Sequence, residues 1–403
     1  MSERVDAAPR GRVGEVALAF LRLGLTSFGG PIAHLGYFRT EFVERRKWID
    51  DRGYADLVAL AQFLPGPASS QVGFALGMLR AGPLGALVAF LAFTLPSAAL
   101  LVAVAYGAAT IEGPIAEGVV HGLKLVAVAI VAHAVWGMAR TLTPDVPRAA
   151  IAVAALLVVV FAGGILAQVG AILLGAVAGI LLLRRPAEEV PEPVPFRIPK
   201  AAGVAALAVF GVLLAGLPVL AALARVPALA LADAFYRAGA LVFGGGHVVL
   251  PLLEAEVVQP GWVPAADFLA GYGAAQAVPG PLFTFSAYLG ALAEPGPGGV
   301  AGAAVALVAI FLPGMLLLVG VLPFWDALRR LPAAQALVRG ANAAVVGILA
   351  AALYDPVFVT AVVDAPSFAL VAAGVVLLVV ARVPPWVVVL VGAAGGALLG
   401  LLP

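Results

Sequence analysis

The sequence predicts an all-α polytopic membrane protein made of two inverted-topology repeats with broken or re-entrant helices, and three observations carry that prediction. First, 63% of the 403 residues are hydrophobic and 11% are charged, with a mean hydropathy of +1.10. The apolar runs repeatedly exceed the ~18 to 20 residues that cross a bilayer. Second, two Gly/Pro-broken segments of the first half return in the second. Third, the charges flanking corresponding loops change sign between the halves.

Phe28-Gly29-Gly30-Pro31 reappears as Phe243-Gly244-Gly245-Gly246-His247, an offset of 215 from Phe28 to Phe243. Gln62-Phe63-Leu64-Pro65-Gly66-Pro67-Ala68-Ser69-Ser70 reappears as Gln276-Ala277-Val278-Pro279-Gly280-Pro281-Leu282-Phe283-Thr284, an offset of 214 from Pro65 to Pro279. One duplicated unit with a single-residue slip accounts for both. Proline removes a backbone donor and glycine leaves the backbone bare, so no helix passes through these stretches unbroken. Inside a bilayer such a break must be packed in protein or line a watery cavity, and paired breaks in two halves point to a transporter's binding site.

Taken in order, residues 1–15 read as a cytoplasmic tail without a cleaved signal peptide. Residues 16–183 form the first transmembrane repeat. Within it 16–38 dips in and out at Gly29-Gly30, and the loop 39–52 carries Arg39, Arg45, Arg46, Lys47 and Arg52. That loop is expected inside the cell. The loop 109–117 carries Glu112 and Glu117 without a base, so only one full crossing separates the two loops. Residues 54–79 are therefore expected to fold back at Pro65-Gly66-Pro67, leaving 83–108 to cross. Residues 118–140 cross back, and 149–183 hold a tight pair of spans.

Residues 184–199 contain five prolines, three glutamates and three arginines, a stiff polar cytoplasmic linker. Residues 200–403 hold one extra span, 200–222, and the second repeat, which that span delivers to the opposite face. The later spans are expected at 298–322, 334–354, 357–381 and 384–402. The loop signs agree with inversion: 254–267 has Glu254, Glu256 and Asp267 with no base, whereas the counterpart of the acidic 109–117 loop has Arg329 and Arg330. The total expected is about nine full spans plus four re-entrant segments, against an alternative of 11 to 13 spans.

Helix ends exposed at breaks offer free N–H groups and a favourable dipole to an anion, and glycine lets the ligand reach the backbone. The candidate substrate-binding residues are accordingly Gly29, Gly30, Gln62, Pro65, Gly66, Pro67, Ser69 and Ser70. The second half adds Gly244, Gly245, Gly246, His247, Gln276, Pro279, Gly280, Pro281 and Thr284. A single Pro-Gly break reads more simply as a packed kink; recurrence of both breaks in both halves favours a site. Lys124, seven residues into a span and matched by Asn342, is the candidate buried cation, with Arg22 and Arg237 as paired charges six residues before each Phe-Gly-Gly. Snorkelling to the interface explains those two arginines equally well.

Other chemistries are excluded or unsupported. The net charge of +1 argues against nucleic acid, and the lack of cysteine removes disulfides and thiolate sites. His34, His121, His133 and His247 have no metal-ligand spacing, and no zinc-protease, nucleophile-elbow or phosphate-loop motif occurs. No metal, no cofactor and no enzymatic activity is expected.

With these residues in view, the chain resembles the chromate ion transporter (CHR) family in its long two-repeat form. The resemblance rests on Leu23-Gly24-Leu25-Thr26-Ser27-Phe28-Gly29-Gly30-Pro31, Trp48, Gln62-Phe63-Leu64-Pro65-Gly66-Pro67 and the two second-half segments above. It implies export of chromate, with sulfate as the close analogue, across the bacterial inner membrane, driven by the membrane potential or a proton gradient. The rivals are a permease for another small anion on the same scaffold and a passive anion channel. The expected partners are the lipid bilayer and a small oxyanion, with a homodimer left open.

Overall fold

The computed structural model describes residues 12–108, 113–184, 196, 198–294 and 296–401, and all regular structure among them is helical. Most of the tail and of the linker, and Glu112, lie outside the described residues.

α1 (Val13–Thr26) and α2 (Gly30–Phe38) are the arms of the first hairpin. Its turn places Gly29 and Gly30 at φ +100° and +76°, a region that a Cβ disfavours. Pro31 then sits in the first turn of α2, where its missing N–H costs nothing. α2 continues into a π-helical turn at Arg39–Arg45, so part of the loop expected at 39–52 is helical.

α3 (Asp51–Phe63) starts where the Asp50 carboxylate accepts the Gly53 N–H at 2.8 Å. Its hairpin closes at 65–67 and returns through the first part of α4 (Ala68–Ala108). Ala81 and Gly82 leave helical φ/ψ, so 68–80 is the return arm and 83–108 the crossing helix. The fold-back expected at Pro65-Gly66-Pro67 is therefore present.

α5 (Pro114–Leu142), α6 (Val146–Ala162) and α7 (Gly164–Leu182) complete the first repeat, and α8 (Lys200–Ala224) is the unpaired span. α9 (Pro227–Ala240), a 3-10 turn at Gly246–Val248, α10 (Val249–Leu253) and a π turn at Glu254–Val258 make the third hairpin. α11 (Ala265–Ala275), a 3-10 turn at Leu282–Thr284 and α12 (Phe285–Leu292) make the fourth. α13 (Gly299–Val321), α14 (Trp325–Leu328), α15 (Pro332–Ala352), α16 (Val359–Ala361), α17 (Ala365–Val379) and α18 (Pro385–Leu399) close the chain.

One span boundary moves. The span expected over 357–381 begins only at Ala365, because Asp364 caps it by accepting the Ser367 N–H at 2.7 Å. Hydrogen bonds from Ser367 also hold that exposed carboxyl below its ordinary pKa. Residues 353–361 instead follow α15 through a kink at Asp355, whose φ/ψ of −130° and 118° are not helical, into α16.

Six of the described helices are long and apolar enough to cross a membrane, and α6, α17 and α18 are apolar but shorter. Between them the helices bury little by the hydrophobic effect, since lipid tails are as apolar as leucine; close backbone approach takes its place. Two such seams are copies of each other. α15 of the second repeat lies along α6 and α7 of the first, and α5 of the first lies along α17 and α18 of the second. Gly340 meets Gly175 and Gly179 at one crossing, as Gly122 meets Gly392 and Gly396 at the other. The repeats are thereby interlocked.

Side-chain contacts sort the helix ends into two sets. At one end Glu15 pairs with Arg80 (3.0 Å) and Arg46 (3.5 Å), Asp56 with Arg329 (2.7 Å), and Arg339 donates to the Leu183 carbonyl (2.9 Å). Asp326 belongs to this end, its exposed carboxyl held below its ordinary pKa by hydrogen bonds from Arg329 and Arg330. At the other end the Tyr106 hydroxyl reaches Gly299, Gln259 lies beside Gly164, and Glu294 N–H donates to the Trp262 carbonyl at 3.0 Å. The loops 46–50 and 259–264 fall in opposite sets.

Crossed helix breaks as the candidate functional site

The four breaks meet in pairs, each pair joining the two repeats. Gly66 N–H donates to the Val242 carbonyl at 2.8 Å, and Gly280 N–H donates to the Ser27 carbonyl at 2.9 Å. Gly66 and Gly280 are counterparts, as are Ser27 and Val242, so one contact is made twice. Each Pro-Gly-Pro apex thus docks on the Phe-Gly-Gly hairpin of the other repeat. Both apex glycines have positive φ, +121° and +101°, so a side chain at either would strain the turn. Pro31 and Gly246, also counterparts, face each other: a Cβ on Gly246 would lie 2.9 Å from Pro31 Cγ.

Polar side chains gather round each apex. A Cβ on Gly280 would stand 2.8 Å from Ser97 Oγ, which donates to the Thr94 carbonyl at 3.0 Å. The Ser27 carbonyl that holds Gly280 also accepts from His34 Nε2 at 3.2 Å. Because a carbonyl only accepts, Nε2 carries the proton, and Nδ1 accepts from Ser69 Oγ at 3.4 Å. At the other apex Gln71 Nε2 donates to the carbonyls of Pro65 (3.1 Å) and Gly314 (2.9 Å). Thr284 Oγ1 donates to the Pro281 carbonyl at 2.7 Å, and His247 Nδ1 meets the Tyr272 hydroxyl at 2.7 Å.

Several buried polar atoms near the breaks are left over. Among the described residues Ser27 Oγ, Ser70 Oγ, Thr94 Oγ1, Ser286 Oγ, Gln71 Oε1 and Asn342 Oδ1 have no hydrogen-bond partner. Each such atom costs about 1 to 3 kcal/mol. Hydroxyls without partners, beside helix starts at Gly30, Ala68, Gly246 and Leu282, suit an oxyanion.

The structure brings most candidate residues to this crossing. Pro67 packs on Gly314 and Gly244 on Asn342, while Gly29 and Gly245 remain exposed in their turns. Gln62, a turn before its apex, and Arg22 on α1 are both exposed and stand apart. Arg237 is engaged by Asp233 (3.0 Å) and Glu256 (2.8 Å). Lys124 is half-buried on α5 and makes no ion pair or hydrogen bond with the described residues. Ser27, His34, Thr94, Ser97 and Asn342 were not singled out by the sequence reading as binding residues. The signal for Ser97 was there: Leu95-Pro96-Ser97 recurs as Leu312-Pro313-Gly314, a third shared proline break.

Comparison with known proteins follows the same division. A family model described as "Chromate transporter" matches residues 14–181 and again 229–397, which takes in α1–α7 and α9–α18 and leaves α8 between them. A chromate transport protein of Cupriavidus metallidurans is 30% identical over 412 residues, covering 99% of this chain and 95% of that one. A probable chromate transport protein of Synechococcus elongatus is 30% identical over 83% of this chain and 82% of its own. A chromate transport protein of Pseudomonas aeruginosa is 29% identical over 85% and 80% respectively. No solved structure matches. The doubled family match, on the same two segments that the crossed breaks define, shows a multi-pass membrane transporter rather than an enzyme: the chain belongs to the chromate transporter family.

Proposed function

We propose that this protein exports chromate, with sulfate as a close analogue, from the cytoplasm across the bacterial inner membrane, and that the crossed breaks hold the anion. The observation that carries the reading is the reciprocal pair of hydrogen bonds, Gly66 to Val242 and Gly280 to Ser27, set among buried hydroxyls without partners. Both anions are tetrahedral dianions, which helix N-termini, hydroxyls and one cation would hold alike. An inside-negative potential favours their exit by ~2.3 kcal/mol per charge per 100 mV.

In this reading the two repeats are inserted in opposite senses. The end of the bundle that gathers Arg46, Arg80 and Arg329 faces the cytoplasm, as the positive-inside rule requires, and the end with the loop 259–264 faces out. Reversal of the repeat turns one crossing into a pair related by an axis in the membrane plane, the geometry on which alternating access is built. Reconstitution in liposomes with chromate, sulfate and an organic acid, under an imposed potential or pH gradient, tests the function. Potential- or proton-driven uphill chromate movement is expected; downhill leakage alone would leave a channel, and preference for the organic acid a different permease.

Lys124 supplies the full cation in this reading, since helix dipoles offer only about half a charge each. Lys124→Gln should weaken dianion transport by about 1 to 3 kcal/mol while expression is kept. Its counterpart change, Asn342→Ala, removes an amide beside Gly244 but no charge and should cost less. Full activity in Lys124→Gln would take the residue out of the site.

A further inference from the structure

The Arg–Glu pair beside each first hairpin is duplicated, but its surroundings are not. Arg22 and Glu41 correspond to Arg237 and Glu256 at the 215-residue offset, and both glutamates stand on a π-helical turn. Single π turns concentrate at functional sites. In the first repeat Glu41 is surrounded by bases, Arg45 at 2.7 Å and Arg46 at 2.6 Å, with Arg22 nearby.

In the second repeat the balance reverses. Pro260 and Gly261 replace Arg45 and Arg46, Glu254 replaces Arg39, and Asp233 replaces Leu18. Arg237 now bridges two carboxylates, Asp233 at 3.0 Å and Glu256 at 2.8 Å, on residues that are each 6% exposed. Asp233 Oδ1 and Glu256 Oε1 have no hydrogen-bond partner among the described residues.

Among the described residues nothing packed on the cluster cancels its excess charge. α10, α13 and α7 bring no titratable side chain, α8 brings Lys200 at its far end and Arg225 at its C-cap, and α11 brings Asp267 and Tyr272. Glu254 on the same π turn accepts from Gln259 at 3.1 Å and faces Asp355. Two buried carboxylates against one guanidinium leave a net negative charge in a poorly solvated place, which one proton would neutralise.

We infer that Asp233 and Glu256 share one exchangeable proton across Arg237, and that this proton is linked to anion uptake at the crossing. The cluster clasps both arms of the hairpin whose apex is Phe243-Gly244-Gly245-Gly246, because Asp233 and Arg237 lie on α9 and Glu256 on the returning arm. A proton from water on one carboxylate oxygen makes the clasp neutral. Its loss puts a negative charge on the hairpin that receives a dianion. Anion affinity therefore falls as pH rises through the range in which the cluster loses its proton, by at most about tenfold per pH unit for one linked proton. The linkage to transport rests on the function proposed above.

Two measurements on the full-length protein test it. In liposomes, the pH profile of chromate affinity is compared between the wild type, Asp233→Leu, which restores the residue of the first repeat, and Glu41→Gln. Chromate's own protonation acts equally on all three, so the difference between profiles is the reading. Asp233→Leu should flatten the profile and abolish the proton movement seen by a trapped pH dye, while Glu41→Gln keeps the wild-type slope. An unchanged slope in Asp233→Leu overturns the inference, and Asp233→Asn serves if the leucine variant does not fold. Infrared difference spectra then ask about the proton without transport. A protonated-carboxyl band should titrate in the wild type and vanish in Asp233→Asn and Glu256→Gln. Absence of that band overturns the shared proton, whereas a band without any anion flux sinks the transport reading instead.

Discussion

Arg329→Met should destabilise the protein by about 3 to 5 kcal/mol, because it strands a buried carboxylate. Arg329 holds Asp56 at 2.7 Å with side chains 3% and 5% exposed, and Trp325 Nε1 donates to the same oxygen at 3.0 Å. Asp56 starts the second hairpin of the first repeat, and Arg329 ends α14 of the second, so the pair fastens the repeats at the basic end of the bundle. Without the guanidinium, the indole N–H is the only side-chain donor left to Asp56 among the described residues. The double variant Asp56→Leu with Arg329→Met removes both charges and should recover most of the loss, since a buried pair is worth far less than the cost of breaking it. Thermal unfolding in lipid nanodiscs reads both. A single variant as stable as the wild type would show that the pair is solvated.

Gly340→Leu should be the most disruptive apolar substitution, costing about 3 kcal/mol or preventing assembly. A Cβ there would collide with the Gly175 carbonyl and lie 2.8 Å from Gly179 N, backbone atoms that cannot turn aside. α15 and α7 would have to separate along the seam that interlocks the repeats. Gly122→Leu should behave alike at the copied seam with α18, where the Gly392 backbone blocks it. Gly137→Leu is the control, since a Cβ on Gly137 meets nothing within 4 Å. Monodispersity after extraction and thermal stability measure the difference; equal loss in Gly137→Leu would remove the seam from the explanation.

The fold's punctuation was legible because glycine and proline act locally. Gly29, Gly66, Gly244 and Gly280 stand at turns that need positive φ, and the fold-back at Pro65-Gly66-Pro67 follows from the flanking charges. Contacts between the repeats were not legible. The Gly66–Val242 and Gly280–Ser27 bonds use backbone groups that every residue but proline carries, so no side chain announces them. Asp56 and Arg329 lie 273 positions apart and belong to no motif. Trp48 sits in a charged loop yet is buried, stacked on Phe42 at 4.6 Å with its N–H on Glu15 at 3.2 Å. Gln62 and Gln276 looked equivalent by spacing, but one is exposed and the other half-buried. The hairpins of the second repeat lie within the larger apolar core, while those of the first pack into a smaller one.

Opposite insertion of the two repeats is the premise of the crossed-break site, and sided labelling tests it most directly. The chain has no cysteine of its own, and Arg52 in the first turn of α3 and Pro260 in the turn after the second-repeat π turn are both exposed. Single cysteines are placed at Arg52 and at Pro260 and treated in intact cells with a thiol reagent that does not cross the membrane. Pro260→Cys should be labelled from outside, and Arg52→Cys only after the membrane is opened. Labelling of both from the same side would contradict inverted repeats and the shared anion path drawn from them.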